Sequence, residues 1–250
     1  MKNEHLVSII TPSFNCSKSI AKTIDSVLGQ SYQNWEMLIA DDCSGDATCE
    51  VIQQYVDMDT RIKLIKREWN AGPAVTRNRA IQAAKGRFIA FLDADDTWHK
   101  DKLEKQIKFM LDRQVTLSYT GYERIHEDGR KLGTMTVPSS VCYHDILKTN
   151  SIGCLTACYD SLQLGKVYMP NIAKRQDLAL WLRILKKTDR AYGIQESLAD
   201  YYVGVSSVSA NKVIAAKYQW RVYREIEKLG LIQSLYYFFS YAFQAVKNRL

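Results

Sequence analysis

The sequence has no Cys-x-x-Cys pair, and its six cysteines (Cys16, Cys43, Cys49, Cys142, Cys154 and Cys158) match no histidine spacing. A zinc motif is thereby excluded. A disulfide framework does not suit a chain this long, so reduced thiols in the cytoplasm are expected. No glycine-rich turn follows the first apolar segment. Both the dinucleotide fingerprint Gly-x-Gly-x-x-Gly and the P-loop are missing there, so phosphate is not held in a glycine cradle. No apolar run reaches the ~20 residues of a spanning helix. Met1 to His5 is short and polar and leads straight into a strand, so no signal peptide is expected. Neither a linker, a repeat nor a low-complexity stretch divides the chain.

What is present is an ordinary globular composition, 46% hydrophobic and 24% charged over 250 residues, enough for a full core. The net charge of +7 is uneven. Residues 211–250 hold seven Lys or Arg against Glu225 and Glu227, a net +5, which leaves the first 210 residues near neutral. Such a tail points to an anionic partner.

Apolar periodicity gives the architecture. Leu6 to Thr11, Trp35 to Ala40, Arg61 to Lys66 and Arg87 to Leu92 read as buried strands. Lys18 to Gln30, Asp46 to Met58, Ala74 to Ala84 and Lys102 to Arg113 read as helices between and after them. This strict alternation predicts an α/β fold: a mostly parallel central sheet with helices on both faces. After Gln114 the rhythm changes. A hairpin over Val115 to Val137, a strand near Ile152 to Tyr159, a helix over Gln176 to Lys186 and an extended Ala191 to Val205 are expected.

The chain is organised around Arg87-Phe88-Ile89-Ala90-Phe91-Leu92-Asp93-Ala94-Asp95-Asp96. A strand buried on both faces runs straight into three carboxylates, at the sheet end where ligands of open α/β sheets bind. Three clustered carboxylates repel one another unless a hard divalent cation sits among them. A helix cap is the plainer use of one of them. Thr11-Pro12-Ser13-Phe14-Asn15 ends the first strand and is either a wall for a nucleobase or an ordinary turn. Asp41-Asp42 ends the second, where a carboxylate would accept a base imide or cap a helix. Arg77 lies about one turn into the third helix, as a diphosphate contact or a solvated side chain. Taken together these describe a nucleotide-diphosphate pocket.

Val7 to Asn15, Ala40 to Asp46, Gly72 to Asn78 and Phe91 to Asp96 closely resemble family 2 glycosyltransferases, especially bacterial enzymes of teichuronic acid, capsule and lipopolysaccharide synthesis. The resemblance spans roughly the first 210 residues. It implies the GT-A type of nucleotide-diphospho-sugar transferase fold, with a nucleotide-binding half (1–113), an acceptor-binding half (114–210) and an appended basic aromatic tail (211–250). It further implies an Asp-x-Asp motif at Asp93 and Asp95, with Asp95 the direct ligand of Mn2+ or Mg2+. Thr11, Pro12 and Phe14 would line the base, Asp42 would read uracil, and Arg77 and Asp93 would contact the nucleotide. Cys43 stands where the family usually has glycine. The helix beginning Gln176-Asp177 matches the family's general-base helix, with Gln176 in place of the commoner Glu and Asp177 as the base. Trp98, Gly153, Cys154, Thr156 and Gln176 would border the acceptor.

The function so implied is inverting, metal-dependent transfer of a sugar from a nucleotide-diphosphate donor, UDP-linked, to a growing lipid-linked cell-surface glycan. Two other readings stay open: a sugar-phosphate nucleotidylyltransferase, and a non-catalytic membrane-associated scaffold that retained the fold. In the tail, Lys212 to Lys228 is a basic helix and Leu231 to Val246 is dense in aromatics. It suits either a helix in the lipid headgroup region at the inner face of the cell membrane or one packed on the domain or on a second subunit as a homodimer. Nucleic acid is not an expected partner.

Overall fold

The computed structural model describes residues 5–203 and 212–247. Met1 to Glu4, Gly204, Val205 and Arg249, which enter the sequence-based expectations, lie outside the described residues. β1 (Val7–Ser13), β2 (Trp35–Asp41), β3 (Ile62–Lys66) and β4 (Phe88–Phe91) run parallel in the order β3-β2-β1-β4. The same sheet continues through β9 (Cys158–Asp160), β6 (Leu117–His126), β10 (Ala191–Val203) and β5 (Thr97–Trp98). β7 (Lys131–Met135) joins β6, and β8 (Ser140–Val141) joins β10. β9 is antiparallel to both its neighbours, whereas β6 and β10 are parallel. The sheet is therefore mostly parallel in its first half and mixed in its second.

Side chains alternate across the sheet, as a pleat requires. Ile9, Met37, Ile39, Phe88 and Ala90 face one core with α1 (Ile20–Leu28), α2 (Thr48–Met58) and α4 (Lys102–Asp112). Ile10, Leu38, Ile89 and Phe91 face the other with α3 (Pro73–Ala83), α5 (Tyr143–Lys148) and α7 (Gln176–Leu185). Each of the Ile, Leu, Met and Phe side chains among them, fully buried, stabilises the fold by roughly 1.5–3 kcal/mol. Gly86 lets the chain enter β4 tight against β1: a Cβ there would sit 2.6 Å from Ser8 N.

The strand expected over Ile152 to Tyr159 needs correction. Thr156 N and Oγ1 both donate to Gly153 O, closing a 3-10 turn at Cys154–Thr156, so the strand is only β9. α5 is too short for an apolar periodicity to mark it in the sequence. It starts on a capping box in which Cys142 takes the place of the usual Ser or Thr, and Asp145 Oδ2 accepts from Cys142 N at 3.0 Å. A one-turn helix, α6 (Ser161–Leu164), follows β9.

The basic helix is α8 (Lys212–Arg221), continued by a π-turn at Val222–Ile226, and the aromatic helix is α9 (Leu231–Lys247). Their inner faces pack on the body. Tyr223 OH donates to Leu147 O at 2.6 Å, Lys186 Nζ pairs with Glu227, and Arg175 Nη2 donates to Tyr241 OH at 2.7 Å. Among the described residues, no helix is long and apolar enough to cross a membrane.

Candidate active site

The carboxyl ends of β1, β2 and β4 lie side by side, with Ser13 opposite Asp41 and Ile10 opposite Phe91. Phe91 ends β4 and Leu92 N still donates to Ile10 O, so the chain leaves the sheet at Asp93. There Arg77 Nη2 donates to Asp93 Oδ1 at 2.5 Å. Arg77 is buried, and its Nε and Nη1 have no hydrogen-bond partner among the described residues. Burial works against its charge, but the Asp93 carboxylate, with help from Asp177, outweighs it and holds the guanidinium above its usual pKa.

Asp95 stands at the rim with its side chain exposed to solvent, although its carboxyl lies close against protein. Burial and then the Asp93 charge push its carboxyl up to about 6. Asp96 turns inward. It is buried, Oδ1 accepts from Tyr202 N at 3.0 Å, and burial followed by Asp95 and Asp93 lifts it well above the carboxylate range. Asp96 thus serves the junction with β10, while Asp93 is half-buried and Asp95 is open to solvent.

The second acidic pair is also divided. Asp41 accepts from Ser13 Oγ, Ser44 N and Ser44 Oγ and so shapes the turn. Asp42 accepts from Ala71 N at 3.0 Å and Gly72 N at 2.8 Å, and Arg67 Nε lies 3.3 Å away. Its carboxylate therefore clamps the loop that opens α3, the helix carrying Arg77. Thr11 is buried with Oγ1 unpartnered among the described residues, Pro12 is half-buried, and Phe14 presents an exposed ring at the mouth. Cys43 has φ +65°, a left-handed conformation that favours glycine.

Asp177 occupies the first turn of α7, just after Arg175 at φ +66°. Asn150 Nδ2 donates to Asp177 Oδ2 at 3.1 Å, a contact no local sequence pattern reveals. Cys154 feels the charges of both Asp93 and Asp177. Burial comes first among the causes that raise its thiol pKa, and the charges of Asp93 and Asp177 add to it, against Arg77. Asp93, Arg77, Cys154 and Asp177 therefore share one electrostatic neighbourhood. Gly153 and Gln176 are half-buried beside it, and Thr156 is buried beneath.

Trp98 is not at the site surface. Only 4% exposed, it donates from Nε1 to Leu155 O at 2.7 Å and carries Lys102 Nζ 3.6 Å above its ring. The expected place of Trp98 at the border of the acceptor is corrected: indole burial and its satisfied N–H make Trp98 core beneath the 3-10 turn.

Among the described residues, no group of three or more His, Cys, Asp or Glu could hold a metal. A closed protein cage is thus absent there. Two carboxylates that repel each other, beside a guanidinium with unpartnered N–H groups, fit a hard cation completing its shell with phosphate oxygens.

Residues 8–159 match Glycosyl transferase family 2. The chain is similar to the putative teichuronic acid biosynthesis glycosyltransferase TuaG of Bacillus subtilis, 50% identical over 246 residues that cover 98% of each chain. It is also similar to the UDP-Glc:alpha-D-GlcNAc-diphosphoundecaprenol beta-1,3-glucosyltransferase WfgD of Escherichia coli, 39% identical over 98% of this chain and 96% of that one. In fold it resembles S. aureus TarS in complex with UDP-GlcNAc, with TM-score 0.73 and 20% identity over 94% of this chain and 71% of the other. Mannosyltransferase PcManGT from Pyrobaculum calidifontis, in complex with GDP-Man and Mn2+, gives TM-score 0.70 and 16% identity over 97% and 73%. At those identities the likeness establishes the fold, which is the GT-A type. With the family match spanning more than half of the chain and one relative half identical along nearly all of it, this chain belongs to glycosyl transferase family 2 and is a glycosyltransferase.

Proposed function

We propose that the chain is an inverting, metal-dependent glycosyltransferase that moves a sugar from a UDP-linked donor to a lipid-linked acceptor in bacterial cell-surface glycan synthesis. The observation that most supports this is the shared neighbourhood of Arg77, Asp93 and Asp177, drawn from α3, the end of β4 and the start of α7. It joins a diphosphate-binding charge to a general-base carboxylate. The relatives named for undecaprenol-linked acceptors and for UDP donors support the substrate classes.

In this mechanism Thr11, Pro12, Phe14 and Asp42 hold the base, and Arg77 meets the diphosphate. Asp95, with Asp93, would hold Mn2+ or Mg2+, which when bound neutralises charge on the departing diphosphate. Gly153, Cys154, Thr156 and Gln176 border the acceptor. Asn150 fixes one oxygen of Asp177 and leaves the other for an acceptor hydroxyl. That oxygen takes the hydroxyl proton as the acceptor oxygen bonds to the anomeric carbon. The bond from that carbon to the diphosphate breaks on the opposite face, and its electron pair leaves with UDP. The first 113 residues serve the nucleotide and residues 114–210 the acceptor.

Nucleotide release from UDP-sugars, with and without Mn2+, tests the proposal. Asp177→Asn is expected to lose roughly 10²–10⁴-fold in kcat with UDP affinity unchanged. Full turnover in that variant would strip Asp177 of its role, and calorimetry showing no UDP binding in the presence of metal would favour the scaffold. A sugar-phosphate nucleotidylyltransferase would need a glycine-rich phosphate loop after β1, where Thr11 to Asn15 contains no glycine.

A further inference from the structure

The outward face of α9 is apolar. Ile232, Tyr236, Phe239 and Phe243 recur at the spacing of one helical stripe, and they are 84, 57, 68 and 69% exposed. Leu231 and Leu235 widen it. The opposite face is anchored: Ser234 is buried, His144 Nδ1 and Tyr237 OH pair at 2.7 Å, and Tyr241 accepts from Arg175. The stripe is thus the free side of a docked helix, and contiguous exposed apolar surface of this kind marks an interaction site.

Its border is cationic. Glu225 is paired with Arg221, and Glu227 is buried against Lys186 and Tyr143. Lys217, Arg224 and Lys228 are exposed. Lys217, Trp220 and the paired Arg221 and Glu225 also line an open groove of about 650 Å3 that reaches Phe238 of α9. Aromatics and cations bordering an apolar stripe match the headgroup region of a bilayer. At 17 residues α9 is about 25 Å long, short of the ~30 Å hydrocarbon core, and Gln233, Ser240 and Gln244 interrupt it. Such a helix lies along a membrane.

We propose that α9 is the docking surface for an anionic lipid bilayer, with Ile232, Tyr236, Phe239 and Phe243 entering the headgroup boundary. A second copy of this chain would bring the exposed Lys217, Arg224 and Lys228 of two borders together, whereas those cations complement anionic lipid. Arg175, held by Tyr241, stands two residues before Asp177, so a docked α9 sets the acceptor side of the site at the bilayer surface. That last step rests on the lipid-linked acceptor proposed above; the docking itself does not.

Flotation of the full chain with phosphatidylglycerol vesicles and with neutral phosphatidylcholine vesicles tests the surface. The chain is expected to float with the anionic vesicles alone, and less so as salt rises. The exposed double variant F239S/F243S should lose at least roughly tenfold in vesicle binding, with UDP affinity and thermal midpoint retained. K217E/K228E, which leaves the stripe intact, should also lose roughly tenfold. The proposal is overturned if the native chain fails to float with anionic vesicles, or if F239S/F243S floats as the native chain does. It is equally overturned if the native chain sediments as a dimer that F239S/F243S dissociates. Vesicle binding needs no turnover, so its failure leaves the proposed transfer reaction standing, and inactivity with binding intact would remove only that reaction.

Discussion

Arg77 Nη2 lies 2.5 Å from Asp93 Oδ1, while Nε and Nη1 of the same buried guanidinium have no partner among the described residues. A buried charge left half satisfied costs stability, and an incoming diphosphate would supply the missing acceptors. Arg77→Lys keeps the charge but not the planar fork. UDP affinity is expected to fall roughly 10–100-fold, the range of one or two charge-assisted hydrogen bonds. Calorimetric titration with UDP and Mn2+ measures it, and an unaltered Kd would remove Arg77 from the nucleotide site.

Asp95 carries a pH signature. Its carboxyl is pushed up to about 6, by burial first and by Asp93 second. Because the folded value exceeds the usual ~3.9, ionising this group opposes folding. Its cost to the metal-free chain grows as pH rises from about 4 through about 6. A bound cation needs the ionised form, so the rise in thermal midpoint on adding Mn2+ is expected to be small near pH 5 and full by about pH 7.5. In Asp95→Asn the rise should be weak and flat with pH. A shift in the native chain that does not depend on pH would exclude Asp95 as the ligand.

The places of these acidic residues in the fold were legible because each falls at a boundary that local patterning marks. Asp93 and Asp95 end a continuous apolar strand, and Asp177 opens a helix with a clear apolar face. Asn150 was not, since it comes from a loop 27 residues away and only tertiary contact gives it meaning. Trp98 misled for the converse reason. An aromatic that follows an acid cluster looks like a border of the acceptor until Leu155 O satisfies its N–H within the core. The parallel half of the sheet follows from strand and helix alternation. The insertion of antiparallel β9 between β4 and β6 is a long-range pairing with no local mark.

Cys43 offers a test of backbone strain beside Asp42. At φ +65° a residue with a Cβ costs roughly 1–2 kcal/mol that glycine avoids. Glycine gives some of this back through a looser unfolded chain, by about 0.4–1 kcal/mol. Comparing Cys43→Gly with Cys43→Ala cancels the loss of the sulfur contact to Glu68 O. Cys43→Gly is expected to melt a few degrees above Cys43→Ala, as about 1 kcal/mol implies for a chain this size. An alanine variant as stable as the glycine one would show that the turn relaxes instead of holding its left-handed residue.

Lys102 is buried without a hydrogen-bond partner, its Nζ resting 3.6 Å above the Trp98 ring. Burial pulls its pKa down from 10.5 to about 7. Between those values the unfolded chain binds the proton more readily than the folded one, so the contribution of this group to stability rises with pH. Below about 7 its cost stands in full. At 1.36 kcal/mol per unit that cost is on the order of 3–5 kcal/mol, part of which the indole face offsets. Lys102→Met keeps the stem and removes the amine. Urea unfolding should find the variant more stable than the native chain near pH 6.5, with the gain shrinking toward zero near pH 10. If the gain were equal at both ends, altered packing and not charge would be its source, and a variant less stable at pH 6.5 would mean the ammonium is better accommodated by Trp98 than its burial implies.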